Sequence, residues 1–236
     1  MYAIIFKPNR YNSFAWMNIV ALLLLLYVGK IDAYAVLFGY FLETIIIGFF
    51  NALKMFVSSK HHKSEKSIAF LIPFFIVHYG FFIAVQSIFV FVLMGQSDVI
   101  PIKEPFHLIA NYSAVFKLAG MEYILGLLCI TQLAKYIFDY IQPKKYLNYT
   151  PEEIMFKPYV RILIQQFAVI LAMFFTMFSN ADVVAAILLI LIRAVVDFFL
   201  VAIRENDALL DRMVDKMYDG KTPKDELRKQ LILFSE

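Results

Sequence analysis

Apolar residues along this chain fall into six runs, roughly 14–29, 33–57, 68–94, 113–140, 160–178 and 182–203, parted by short polar stretches. Crossing the hydrocarbon of a bilayer takes about 20 residues at about 1.5 Å each, and five of the runs have that length. The first is shorter, but Trp16 and Tyr27 stand near its ends, where amphipathic rings anchor a helix at the interface. The pattern predicts an all-α fold: residues 1–203 form a polytopic membrane bundle of six transmembrane helices, and residues 204–236 form a charged tail.

The polar stretches orient the bundle. With six spans, the N-terminal segment, the 58–67 and 141–159 loops and the tail share one side, and Lys7, Arg10, Lys60, Lys63, Lys66, Lys144, Lys145 and Lys157 all fall there. The opposite loops hold only Lys30 and Lys103. By the positive-inside rule the basic side is cytoplasmic, so both termini are predicted to be cytoplasmic. The sequence Thr150-Pro151-Glu152-Glu153 joins a capping residue, a proline at the first helical position and an acidic first turn. A short helix over 151–157 is therefore expected. Thr222-Pro223-Lys224-Asp225-Glu226 repeats the signal ahead of an amphipathic terminal helix near 223–234 that carries Leu227, Leu231 and Phe234. The segment 96–112, with Pro101 and Pro105, reads as an irregular outer lid.

Composition agrees with this reading and narrows it. The 236 residues are 61% hydrophobic and 17% charged, with 25 Phe and 14 Tyr, whereas soluble domains are about 45–50% apolar. Nothing near the N-terminus resembles a cleavable signal peptide. The single Cys129 lies within an apolar run, which excludes a disulfide framework or a cysteine-rich metal site. A net charge of +3 gives no reason to invoke nucleic acid.

Ionisable residues inside the runs carry the chemical information, because each costs about 2.5–3.5 kcal/mol to place in hydrocarbon. Helix rise puts Glu43 about 15 Å into the second span, His78 about 15 Å into the third and Arg193 about 16 Å into the sixth, all near the midplane. Gln165 and Asp197 lie nearer the cytoplasmic end, with Arg161 one turn from Gln165 and Asp197 one turn from Arg193. Glu43, Ile47, Phe50 and Lys54 share a stripe with Asn51 at its edge, and Gln132, Lys135 and Asp139 continue a polar surface on the fourth span. The expected buried cluster is Glu43, Asn51, His78, Gln132, Arg161, Gln165, Arg193 and Asp197. Glu43 would pair with Arg193 or His78, and Asp197 with Arg193 or Arg161. Arg161, Lys54 and Lys135 also have the simpler option of reaching the cytoplasmic interface along their aliphatic stems. Gly48-x-x-x-Ala52 and Gly80-x-x-x-Ala84 are small-residue pairs that permit close helix approach. Pro73 is placed to kink the third helix.

Four stretches carry a resemblance: Glu43-Thr44-Ile45-Ile46-Ile47-Gly48-Phe49-Phe50-Asn51, Val77-His78-Tyr79-Gly80-Phe81-Phe82, Pro158-Tyr159-Val160-Arg161-Ile162 and Arg193-Ala194-Val195-Val196-Asp197. Together they resemble a bacterial and archaeal integral-membrane family catalogued only as a domain of unknown function. The resemblance implies a fold and a polar core and no activity, and the expected address is a membrane with a cytoplasmic face, the bacterial inner membrane. The family pattern is richer in histidine on the third, fourth and fifth helices, at positions where this chain has Gln86, Gln132 and Gln165.

Three classes of function fit these residues. A transporter, channel or binder of a small solute, ion or proton would use Glu43 as the proton or cation site, His78 as a relay and Arg193 as the counter-charge. A membrane scaffold or regulatory subunit would use the polar residues only to join helices, with the tail as its docking segment. A membrane metal or redox enzyme has little to build on. No catalytic motif is present, and the only cofactor with any footing is a metal ion at His78 with Glu43. The partners expected are the lipid bilayer, a second copy of the chain and a cytoplasmic protein at the tail.

Overall fold

The computed structural model of the chain describes residue 8 and residues 12–62, 67–94, 102, 104–179 and 182–235. Every regular element among them is helical: α1 (Ser13–Tyr27), α2 (Ala33–Ser59), α3 (Ile68–Met94), α4 (Leu108–Val115), α5 (Met121–Ala134), α6 (Pro151–Ser179), α7 (Asp182–Glu205), α8 (Asp207–Met217) and α9 (Lys224–Ser235). A π-helical segment, Lys135–Ile141, prolongs α5, and a single 3-10 turn, Lys145–Leu147, follows it.

Among the described residues, four stretches are long and apolar enough to cross a membrane: Ala33–Ser59, Ile68–Val92, Met121–Ile141 and Val183–Glu205. The six expected from the pattern are therefore reduced to four. The first run yields a helix of only 15 residues, about 22 Å long, against a hydrocarbon core of about 30 Å. The fifth run is the apolar part of α6, a 29-residue helix that begins with Glu152 and Glu153 and is not among the four. The outer surface of the bundle is apolar, with Phe49, Val77, Phe81, Phe89, Ile130 and Phe167 all more than half exposed. Such a surface requires lipid as its solvent, so the protein is membrane-embedded.

Helix α2 is the axis of the fold. It packs against α3, α5, α6 and α7, and its first twelve residues, Ala33 to Thr44, are all buried. Asp32 caps its start by accepting the Tyr34 N–H at 2.7 Å. Contacts along its length give the helix directions. Phe38 stacks on Phe91 while Thr44 meets Tyr79, so α3 is antiparallel to α2. Asn51 meets Ile154 and Ser58 meets Tyr149, so α6 is antiparallel too. Glu43 meets Gln132 and Lys54 meets Tyr140, so α5 runs parallel to α2. On α1, Phe14 stacks on Phe138 and Asn18 accepts from Thr131, so α1 opposes α5. The end of α2, the start of α6 and the end of α7 thus share one lysine-rich end.

Two glycines are required by close approach. Gly48 faces the Tyr79 ring, which occupies the space a Cβ would need and lets the Tyr79 hydroxyl donate to the Thr44 carbonyl at 2.7 Å. Gly120 has φ +80° and stands against the Lys30 carbonyl. It starts α5 after a turn that ends α4, so the fourth run, 113–140, is not one helix. The helix Leu108–Val115 also occupies part of the segment expected to be irregular. The turn is held by the Asp32 N–H donating to the Ala119 carbonyl at 3.0 Å, which ties α2 to the start of α5.

At the lysine-rich end Thr150 and Glu153 form a reciprocal capping box: the Thr150 N–H donates to Glu153 at 2.9 Å, and the Glu153 N–H to the Thr150 hydroxyl at 3.3 Å. Pro158 does not break the helix, so the short 151–157 helix is the first part of α6. The tail folds back onto the protein. Leu227, Leu231 and Ile232 of α9 pack on Ile203, Leu210 and Val214. Lys229 bonds Glu153 at 2.6 Å, and Arg228 pairs with Asp207 and Asp211.

These contacts generate two expectations. Gly120→Ala should cost about 1–3 kcal/mol through a strained backbone, whereas Gly126→Ala, which meets nothing within 4 Å, should be neutral; thermal unfolding in detergent measures both. Partial burial pushes the Glu153 carboxyl up, but hydrogen bonds from Lys229 and Thr150 outweigh it and hold the group below its ordinary 4.5, while Glu153 holds Lys229 above its ordinary 10.5. The pair's contribution to docking α9 is complete between those two values. It is lost as pH falls through the lowered carboxylate value or rises through the raised ammonium value. Protease sensitivity of the tail should rise at both extremes, and Glu153→Gln should flatten the acid limb.

Candidate functional site

The deepest charges meet between α2, α5 and α7. Glu43 lies on the buried face of α2 with no solvent exposure, and both its oxygens accept from the Arg193 guanidinium in a two-point ion pair. Gln132 donates its Nε2 to Glu43 Oε1 at 2.8 Å. One turn along α7, Asp197 accepts from Arg193 Nε at 3.2 Å, so the arginine lies between two carboxylates. The ring of Tyr40, one turn before Glu43, lies 4.6 Å from the guanidinium carbon. A planar fork suits this role because it binds a carboxylate with two parallel bonds, leaves Nε for a second acceptor and presents a flat face to an aromatic ring.

A cleft of about 90 Å³ borders this cluster at Gln132 and Asp197 and lies toward the lysine-rich end, with room for several water molecules. Asn51, Gln132 and Asp197 form its polar floor, Lys135 and Asp139 of the π-helical segment one wall, and Lys54 and Lys157 another. The Lys157 ammonium lies 3.9 Å from the Tyr149 ring centre and that of Lys54 5.5 Å from Tyr140. A π-helical turn re-aims side chains by about one position relative to an α-helix, and such turns are frequent at functional sites. Here it is the segment that delivers an acid and a base to the same wall.

The eight residues of the expected cluster divide into four groups. Glu43, Gln132, Arg193 and Asp197 are in direct contact. Asn51 is buried at the edge of the cleft but donates to the Ile154 carbonyl at 3.1 Å, joining α2 to α6. Arg161 and Gln165 lie on α6 with side chains outside the described residues. His78 is a correction. It is exposed on α3, bonded through Nδ1 to the Tyr159 hydroxyl at 2.7 Å and stacked on Phe74. Depth placed it level with Glu43, but a step of one residue turns a helix by about 100°, and Tyr79 holds the face toward α2. His78 thus packs on Tyr159 of α6, whereas Glu43 meets Gln132 of α5 and Arg193 of α7. Among the described residues no group of three or more His, Cys, Asp or Glu side chains converges.

The pattern also misses residues. Tyr40 has a signal in its spacing, three positions before Glu43 on the same face. Lys157 counts as a loop charge in the sequence, yet it is 7% exposed in the cleft wall. Arg204, near the end of α7, lines the same cleft. Gln166 is buried, and neither of its amide atoms has a partner among the described residues; Gln86 Oε1 is in the same condition.

Removing one partner of a buried pair strands the other charge. Glu43→Gln or Arg193→Leu alone should each cost about 3–5 kcal/mol. The double variant should cost less than the sum, because neither charge is then left unpaired. Unfolding of the four proteins in detergent measures the coupling, and simple additivity would show that the two side chains do not meet.

The family of unknown function DUF6498 is matched over residues 1–220. No curated protein and no solved structure matches the chain.

Proposed function

The chain belongs to that family of unknown function, and from its buried charges we propose that it is a carrier or binder of a small polar solute or ion. The observation that supports this most is the Glu43–Arg193–Asp197 cluster, which lies within an apolar bundle and borders a polar cleft through Asp197. Charges held in hydrocarbon and reached by a polar path are the arrangement that solute and ion sites use. In this reading the lysine-rich end faces the cytoplasm, as the positive-inside rule requires, and the membrane is the bacterial inner membrane. Solute enters through the cleft and competes for Arg193, whose two carboxylates give it alternative partners as the solute arrives and leaves.

A second reading, a membrane scaffold, is favoured by one feature: both Glu43 oxygens are already satisfied, which suits a purely structural joint between helices. The single tryptophan separates the two. Trp16 packs against Phe198, next to Asp197, with ring centres 5.1 Å apart. A carrier should show a saturable change in tryptophan fluorescence with one of a panel of small ions. In liposomes under a pH gradient it should also give flux of that ion that Asp197→Asn abolishes and Lys60→Ala leaves intact. Flux no greater than in empty liposomes across the panel, with unchanged fluorescence, would leave the scaffold reading in its place.

A further inference from the structure

Two buried glutamines have hydrogen-bonding atoms that the surrounding groups leave unused. Gln86 of α3 and Gln166 of α6 are 7% and 6% exposed. Among the described residues, Gln86 Oε1 and both amide atoms of Gln166 have no partner. Buried amide atoms are almost always paired, and leaving one unpaired is most costly where lipid rather than water surrounds the bundle. Three such atoms in two helices therefore call for a ligand.

Helix register sets both side chains at one interface. Helices α3 and α6 each run antiparallel to α2, so they are parallel to one another. They touch at Tyr159, whose ring centre lies 5.8 Å from that of Tyr79 and 6.4 Å from that of Phe82. Seven residues bring a helix back to within about 20° of its starting direction. Gln86 follows Tyr79 by seven residues, and Gln166 follows Tyr159 by seven. Each amide thus projects from the face that makes the Tyr79–Tyr159 contact, about 10 Å farther from the lysine-rich end. Pro73 and Pro158 precede both intervals and do not disturb the count. Helix α2 gives an independent measure of height. Gln86 falls between Tyr79, which meets Thr44, and Phe91, which stacks on Phe38. Gln166 lies twelve residues beyond Ile154, which meets Asn51, and so stands level with the same part of α2.

We infer that Gln86 and Gln166 bind one small neutral ligand between α3 and α6, with water as its simplest form. The unpartnered atoms are two carbonyl oxygens and one amide nitrogen. They match a ligand that donates two protons and accepts one. A water molecule has that set, and buried waters make about three hydrogen bonds to groups the protein leaves unpaired. A urea-type amide presents the same groups. An ion fits poorly, because a cation leaves the amide N–H unanswered and an anion leaves both oxygens so. The site goes beyond the carrier-or-binder reading and does not depend on it. In a scaffold it joins two helices, and in a carrier it adds a polar step on the side of Glu43 away from the cleft.

Nuclear magnetic resonance of the full-length protein in detergent, labelled with nitrogen-15 in its glutamine side chains, tests the assignment. Gln86→Met and Gln166→Met identify the two carboxamide signals by their loss, since methionine keeps a similar unbranched chain without donor or acceptor. Where a methionine variant elutes as aggregate, Gln86→Asn or Gln166→Asn serves instead. Both wild-type carboxamides are expected to exchange magnetisation with a bound water. Titrated urea separates the sources: a saturable shift of both signals identifies a solute, and water transfer without that shift identifies water. Each methionine variant should lower the melting temperature, and the double variant should lower it no further than the worse single, because either change removes the shared bridge. Gln142→Met, on the exposed end of the π-helical segment, should leave it unchanged. An unchanged or higher melting temperature in either site variant overturns the proposal, since an idle amide is better replaced by an apolar chain. Coupled destabilisation with neither water transfer nor a urea shift also overturns it, and shows that the two amides bond each other directly.

Discussion

A carboxylate sealed from solvent on the central helix can keep its charge only if a cation is brought to it, and the Glu43–Arg193 pair meets that requirement. The demand is severe in a bundle surrounded by lipid, where the alternative to a partner is an ion in hydrocarbon. Its consequences extend outward. Arg193 must project from α7 toward α2, which sets the rotation of α7. Asp197 then faces inward one turn later, and Gln132 comes from α5 to the same carboxylate. Three helices are thus put in register by one group. Other bonds hold further parts of the chain at matching heights: Tyr79 and Tyr140 donate to carbonyls of α2, and Asn51 and Ser58 of α2 donate to the Ile154 and Tyr149 carbonyls.

That joint is asymmetric. On the side toward the start of α2 the packing is apolar, with Phe38, Phe41 and Phe91 fully buried. On the other side the helices part around a polar cleft, and α5 changes to π-helical geometry just where it borders the opening. Side chains that would ordinarily extend to the interface, Lys54 and Lys135, border this cleft, and the Lys157 and Lys54 ammonium groups lie against aromatic faces. The tail continues the enclosure. Docked through Leu227, Leu231 and the Lys229–Glu153 contact, α9 brings Ser235 to the cleft.

Much of this is legible in the order of residues, for reasons that differ by position. Helix capping depends on neighbours in sequence, so Thr150 and Glu153 mark the start of α6. Burial of charge depends on the length of the apolar run around it, so Glu43, Arg193 and Asp197 stand out from composition and helix rise. His78 satisfies the same test and still faces outward, because depth along a helix says nothing about rotation around it. Gly120 looks like one residue of a continuous apolar run, yet its positive φ divides that run into two helices.

The sequence by itself determined the solvent of this protein and the identity of its most costly side chains, because hydrophobicity and charge are properties of residues and helical rise converts their order into depth. Only the tertiary structure decided which of those side chains meet, that four helices rather than six are long and apolar enough to span among the described residues, and that lysines spread over about 100 residues of chain converge with Arg204 on one cleft. Those outcomes depend on how helices rotate and pack against one another. That rotation is set by contacts between segments distant in sequence, such as Glu43 with Arg193, which no local pattern records.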